Sequence, residues 1–206
     1  MNVDLVIFDL DGVLVDACEW HRVALNEALM EVCGYEIPLE DHYADYNGLP
    51  TLTKLDKLST RGLLPEEDHK KVSDLKQEKT MGVIEKLAWV REEKVSLLQA
   101  LQKRGIRIGC CTNSIRKTTE LMLEKTGIRH FFEYPSGIVI TNQDVDNPKP
   151  HPEGYNKIIQ YFDSKKTIIV EDSPKGLQAA RASGAEVLDV KNPGEVTLDL
   201  FKGIII

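Results

Sequence analysis

The sequence predicts an α/β fold, a doubly wound parallel sheet that carries an inserted helical domain. Three observations predict it. From about residue 91 onward, short apolar runs rich in β-branched residues alternate with helical periodicity, the rhythm of βα units around a parallel sheet. Near the N-terminus, Leu5-Val-Ile-Phe8 reads as a buried strand that delivers Asp9, Asp11 and Gly12 to its carboxyl tip. Between these regions, residues 16–90 read as consecutive helices with no convincing strand, so the sheet-forming sequence is divided into 1–15 and 91–206.

The elements follow in chain order. In the first strand, over 5–8, residues two apart share a face, and Gly12 lets the backbone turn just beyond Asp9 and Asp11. Taken alone, Asp-x-Asp-Gly reads equally well as a hydrogen-bonding turn. The inserted block predicts helices over 17–33, 52–60 and 65–87, the first with a stripe of Ala24, Ala28 and Val32 that Gly34 ends. Trp20 and Trp89 stand near the two ends of the block and are expected to pack. Leu97, Leu98 and Leu101 stripe a helix over 92–104, and strand 106–111 leads through Thr112-Asn113-Ser114 into a helix over 115–126. Strand 137–140 precedes Asn147-Pro148-Lys149-Pro150 and a helix over 152–162, where Pro152 suits a first turn. Strand 167–170 ends in Glu171-Asp172-Ser173, a helix over 174–183 follows, and strand 186–190 closes the sheet. The apolar residues 203–206 are expected to dock on the core or on a partner.

Composition narrows the function classes. With 42% apolar and 29% charged residues, the 206-residue chain has a globular balance. A net charge of −7 with no basic stripe disfavours nucleic acid as a partner. No basic segment precedes the first strand and no apolar run approaches a membrane span, so no membrane partner and a cytoplasmic location are expected. Cys18, Cys33, Cys110 and Cys111 lack metal-ligand spacing and read as reduced packing residues.

Ligands of open α/β sheets bind beyond the carboxyl ends of the strands, so chemistry should recur at those tips. It does. Thr112-Asn113-Ser114 offers a hydroxyl, an amide and a helix start suited to an anion, although by itself it is also an ordinary helix cap. Lys149 between prolines reads by itself as a surface charge. Glu171 and Asp172, directly after Ile-Ile-Val, are costly near a core unless a cation or hydrogen bonds compensate them.

Taken together and in this order, Asp9-Leu-Asp11-Gly12, Thr112-Asn113, Lys149-Pro150 and Glu171-Asp172 resemble the four motifs of the haloacid dehalogenase superfamily, in its Mg²⁺-dependent phosphatase branch with a helical cap in the first insertion position. The resemblance covers essentially the whole chain. It implies a core domain over 1–15 and 91–206 and a cap over 16–90. It further implies hydrolysis of a small phosphorylated metabolite, a sugar phosphate above all, through an aspartyl-phosphate. In this scheme Asp9 is the nucleophile and Asp11 the general acid and base. Lys149 neutralises Asp9 and the phosphoryl group, and Thr112 with the Asn113 backbone N–H holds that group. Mg²⁺ takes Asp9, the Asp11 backbone carbonyl and Asp172, with Glu171 supporting through water. A monomer is expected.

The cap is expected to choose the leaving group. His21, with Asp16 and Glu19, opens it as in β-phosphoglucomutase and several sugar-phosphate phosphatases; His21 either sits near Asp11 or has no role. Gly48, Leu49, Thr51 and Lys54 fall in and after the segment that resembles the specificity loop. Where a β-phosphoglucomutase carries an arginine for a second phosphate, this chain has Leu49-Pro50-Thr51, which counts against the alternative of a sugar phosphomutase. Lys54 and Lys57 are either substitutes for that arginine or members of a solvated helix face.

Overall fold

In the computed structural model, which describes residues 2–46 and 49–205, the chain forms two compact units. One runs up to Asp16 and again from Ala88; the other is Ala17–Leu87.

Strand β1, Leu5–Phe8, is buried along its whole length, as its unbroken apolar run requires of a central parallel strand. The chain then enters the helical unit. Helix α1, Cys18–Cys33, is followed by a short turn α2, Leu39–Asp41, that runs into a π-helical turn over His42–Tyr46. Helix α3, Thr51–Thr60, and helix α4, His69–Leu87, complete the unit. Leu25, Ala28, Leu29, Ile37, Tyr46, Leu55, Leu58, Leu64 and Val72 form its core. Asn26 ties the segment after α1 to the helix: its amide donates to the Ile37 carbonyl at 3.0 Å and accepts the Ile37 N–H at 3.2 Å. The sequence reading missed α2 and the π-helical turn, which are too short and polar to leave a periodic signal.

The sheet unit resumes with α5, Glu92–Lys103, then β2, Arg107–Cys111, α6, Arg116–Lys125, and β3, Gly137–Ile140. It ends with α7, Glu153–Phe162, β4, Thr167–Glu171, α8, Pro174–Ala182, and β5, Glu186–Asp189. The order across the sheet is β3-β2-β1-β4-β5, all pairs parallel. This is the α/β architecture that the sequence predicts. Phe8 stands level with Cys110 on one side and Val170 on the other, so the residues just past β1, β2 and β4 emerge side by side. Here strand order reverses around β1, and ligands of such sheets bind at that point.

On one face of the sheet, Leu5, Ile7 and Ile169 pack with Tyr155, Ile158 and Phe162 of α7 and Ala179 and Ala180 of α8. Phe8 meets Phe201 edge to face, with ring centroids 6.2 Å apart. Phe201 is thus the buried anchor of the C-terminal segment, and Ile204 and Ile205 beyond it are half-buried. Buried Lys94 on α5 holds the chain after β5 by donating to the carbonyls of Pro193 and Val196, the latter at 2.7 Å; burial lowers its pKa to about 8. Trp20 is buried, but Trp89 is 62% exposed with the Arg91 guanidinium over its ring, which corrects the packing role expected of it. Cys110 and Cys111 are buried in β2, and burial pushes the Cys111 thiol up to about 12. Among the described residues no helix is long and apolar enough to cross a membrane.

Candidate active site

The site begins where β1 stops. The Asp9 N–H donates to the Val170 carbonyl at 3.0 Å, one step beyond the β1–β4 ladder, so this residue is still held by the sheet. The chain turns at once, with the Gly12 N–H on the Val15 carbonyl at 2.7 Å. Gly12 has φ +94°, and a Cβ built there would lie 2.1 Å from Asp172 Oδ2. Backbone conformation and close approach therefore both demand glycine. Gly12→Ala is expected to fold less stably and to lose most activity, because the new methyl group must push the Asp172 carboxylate aside. Activity near wild type, with a melting temperature to match, would show that Asp172 moves freely.

Asp9 is buried, and its Oδ1 accepts from Lys149 Nζ at 2.6 Å. The same ammonium donates to Glu171 Oε1 at 2.6 Å. Burial works against the Lys149 charge, but Asp9, Tyr155 and Glu171 outweigh it and keep the ammonium protonated. Burial together with Glu171, Asp11 and Asp172 holds the Asp9 carboxyl above the ordinary range despite Lys149. For Glu171 the balance is reversed: burial would raise its pKa, yet Lys149 and a shell of hydrogen bonds keep it ionised. Glu171 Oε2 accepts the N–H groups of Asp172 at 2.9 Å and Ser173 at 3.1 Å, and the Ser173 hydroxyl at 3.2 Å. The Tyr155 hydroxyl adds a further bond to Oε1 at 2.8 Å. Gly176 of α8 lies so close that a Cβ there would fall 1.8 Å from Oε1.

Two loops complete the arrangement. Asp11 Oδ2 accepts the Ser114 hydroxyl at 2.8 Å and the Thr112 hydroxyl at 3.1 Å. Asn113 clamps the Lys149 backbone from two sides, accepting its N–H at 3.0 Å and donating to its carbonyl at 3.1 Å. The sequence placed Asp9, Asp11, Thr112, Asn113, Lys149, Glu171 and Asp172 at strand tips, and the fold brings them together. It did not find Ser114 as a partner of Asp11, the clamp made by the Asn113 side chain, or Tyr155.

The donor set fits a hard divalent cation. Carboxylate oxygens of Asp9, Glu171 and Asp172 lie within 4.8 Å of one another. Asp172 Oδ1 is buried without a hydrogen-bond partner, and burial with Glu171 beside it raises the Asp172 pKa to about 7. A single ammonium does not balance this many buried acids.

The remaining expected residues belong to the helical unit. His21 on α1 has its Nδ1 3.3 Å from Lys76 Nζ. Leu49 donates its N–H to the Tyr46 carbonyl, Thr51 begins α3, and Gly48 lies outside the described residues. Lys54 is only 8% exposed, which leaves out the solvated-face alternative for it; burial, with Lys76 nearby, lowers its pKa to about 8. Lys57 donates to the Asp45 carbonyl at 2.9 Å.

The chain is similar in sequence and fold to several known proteins. "Pyrophosphatase PpaX" of Bacillus mycoides is 25% identical over 211 residues, spanning 98% of this chain and 91% of that protein. A solved structure of a predicted phosphoglycolate phosphatase from Haemophilus somnus superposes with a TM-score of 0.79 at 22% identity, covering 92% of this chain and 85% of that one. A putative β-phosphoglucomutase from Thermotoga maritima gives a TM-score of 0.73 at 22% identity, covering 96% and 91%. The sequence profile of the haloacid dehalogenase-like hydrolases matches residues 6–190, nearly the whole span from the first strand to the last, and the chain belongs to that family.

Proposed function

We propose that the chain is a Mg²⁺-dependent phosphatase that hydrolyses a small phosphorylated metabolite, a sugar phosphate, through a phosphoryl group carried on Asp9. The observation that carries this reading is the convergence of Asp9, Lys149, Glu171 and Asp172 at one point, with Asp11 two residues from Asp9.

The Asp9 carboxylate attacks phosphorus while the bond to the leaving oxygen breaks, and a proton on Asp11 goes to that oxygen. Asp11, now ionised, takes a proton from water; the water oxygen bonds to phosphorus, the Asp9–phosphorus bond breaks, and phosphate leaves. Lys149 fixes the rotamer of Asp9 and offsets charge on the phosphoryl oxygens. Thr112 and the Asn113 backbone N–H orient those oxygens. The Thr112 and Ser114 hydroxyls also hold Asp11 by donating to its Oδ2. Mg²⁺, held by Asp9, Asp172 and the Asp11 carbonyl with Glu171 behind them, would supply positive charge to the transferring group.

We read Ala17–Leu87 as the cap that chooses the leaving group, with His21, Leu49, Thr51 and Lys54 as its contributors. A second reading, a sugar phosphomutase, draws support from buried Lys54, since a mutase must hold a second phosphate. The two separate by product: a phosphatase releases inorganic phosphate, and a mutase given a sugar bisphosphate as primer accumulates the isomeric phosphate.

A panel of phosphomonoesters, with pyrophosphate included, assayed with and without Mg²⁺, tests the proposal. Phosphate release from at least one ester is expected, and chelation by EDTA should abolish it. Turnover that persists undiminished in metal-free buffer removes the mechanism. Release from pyrophosphate alone would replace the ester by a phosphoanhydride.

A further inference from the structure

Helix α7 presents Tyr155, Ile158 and Phe162 to the sheet, a stripe with helical spacing that by periodicity is plain core. Tyr155 differs from the other two in carrying a hydroxyl, and at 0% exposure that hydroxyl needs an acceptor. Its acceptor is Glu171 Oε1, at 2.8 Å. The same oxygen takes Lys149 Nζ at 2.6 Å, and Nζ lies 4.9 Å from the centroid of the Tyr155 ring. Tyr155 therefore touches both groups that set the charge beside Asp9, without touching Asp9 through any hydrogen bond.

We propose that Tyr155 is a positioning residue: its hydroxyl holds the Glu171 carboxylate and its ring face seats the Lys149 ammonium, so that Nζ is shared between Glu171 and Asp9. Lys149 has two carboxylates at equal distance, 2.6 Å each, and its place between them depends on how strongly each attracts it. The hydroxyl partly neutralises Oε1. Without it, Glu171 becomes the stronger acceptor and draws the ammonium away from Asp9. The ring opposes that movement from the side, through the attraction of a cation to its face.

The inference rests on the reading of Asp9 as the attacking group, and its test has one arm that does not. Tyr155→Phe keeps the ring and removes the hydroxyl. In a crystal structure of this variant, Lys149 Nζ is expected to stay within hydrogen-bond distance of Glu171 and to leave that of Asp9. With an aryl phosphate and Mg²⁺, kcat should fall about 10-fold with KM within about twofold, the scale of one buried hydrogen bond to a charged group. Tyr161→Phe, on the exposed side of the same helix, should leave kinetics unchanged. Lys149 still bonded to both carboxylates in the crystal, or a loss confined to KM or to melting temperature, overturns the proposal. If the wild-type protein hydrolyses no ester, the catalytic reading of Asp9 fails, and the crystal structure still decides the role of Tyr155.

Discussion

Asp9→Asn is expected to lower kcat by on the order of 10⁴-fold or more while the melting temperature changes by only a few degrees. The amide has nearly the volume of the carboxyl group and fits the same place at the end of β1, but it cannot carry the phosphoryl group. Two electrostatic changes oppose one another in the folded state. Lys149 loses one of its two carboxylates and keeps the other, Glu171. At the same time the cost of burying the Asp9 charge disappears, and with it the repulsion from Glu171, Asp11 and Asp172. In metal-free buffer the second effect offsets much of the first, so the variant should melt close to wild type. Acid quenching during turnover, followed by intact mass measurement, should find a phosphoryl adduct on the wild-type chain and none on the variant. A variant that keeps a tenth of the activity would exclude Asp9 as the nucleophile.

Much of this site was legible because strand tips concentrate chemistry. Asp9 and Asp11 stand out as charges at the end of an apolar run, and Glu171 and Asp172 stand out in the same way where the apolar run of β4 ends. Lys149 between its prolines reads by itself as a surface charge, and only its place among the four motifs marks it. What escaped the sequence depends on contacts between distant segments. Nothing local in Asn113 says that its side chain will clamp the backbone of Lys149, 36 positions away. Tyr155 is hidden for another reason: a tyrosine in an apolar helical stripe satisfies the core pattern whether or not its hydroxyl has work to do. Trp89 shows the converse error, since residue type suggested burial and tertiary packing leaves it exposed, while for Lys54 packing decides between the two alternatives that residue type left open. The π-helical turn at His42–Tyr46 has no sequence period by which to find it.

Asp11→Asn should divide the reaction by leaving group. The asparagine carbonyl can still accept from the Thr112 and Ser114 hydroxyls that hold Asp11 Oδ2, so the loop should keep its shape. What it loses is the proton. An alkoxide is a poor leaving group and depends on that proton as the bond to phosphorus breaks, so an alkyl phosphate should lose about 10²- to 10⁴-fold in kcat/KM. An aryl phosphate departs as a stabilised phenolate, and its transfer to Asp9 should slow much less. The second half-reaction then suffers with either substrate, because water is no longer activated by a carboxylate. With an aryl phosphate the variant should therefore release a burst of phenol close to one equivalent, followed by slow turnover, and the phosphoryl adduct should accumulate on Asp9. Rapid-quench measurement of phenol and adduct together tests both halves at once. Equal losses for aryl and alkyl substrates, with no burst, would leave Asp11 as a ligand and hydrogen-bond acceptor with no part in proton transfer.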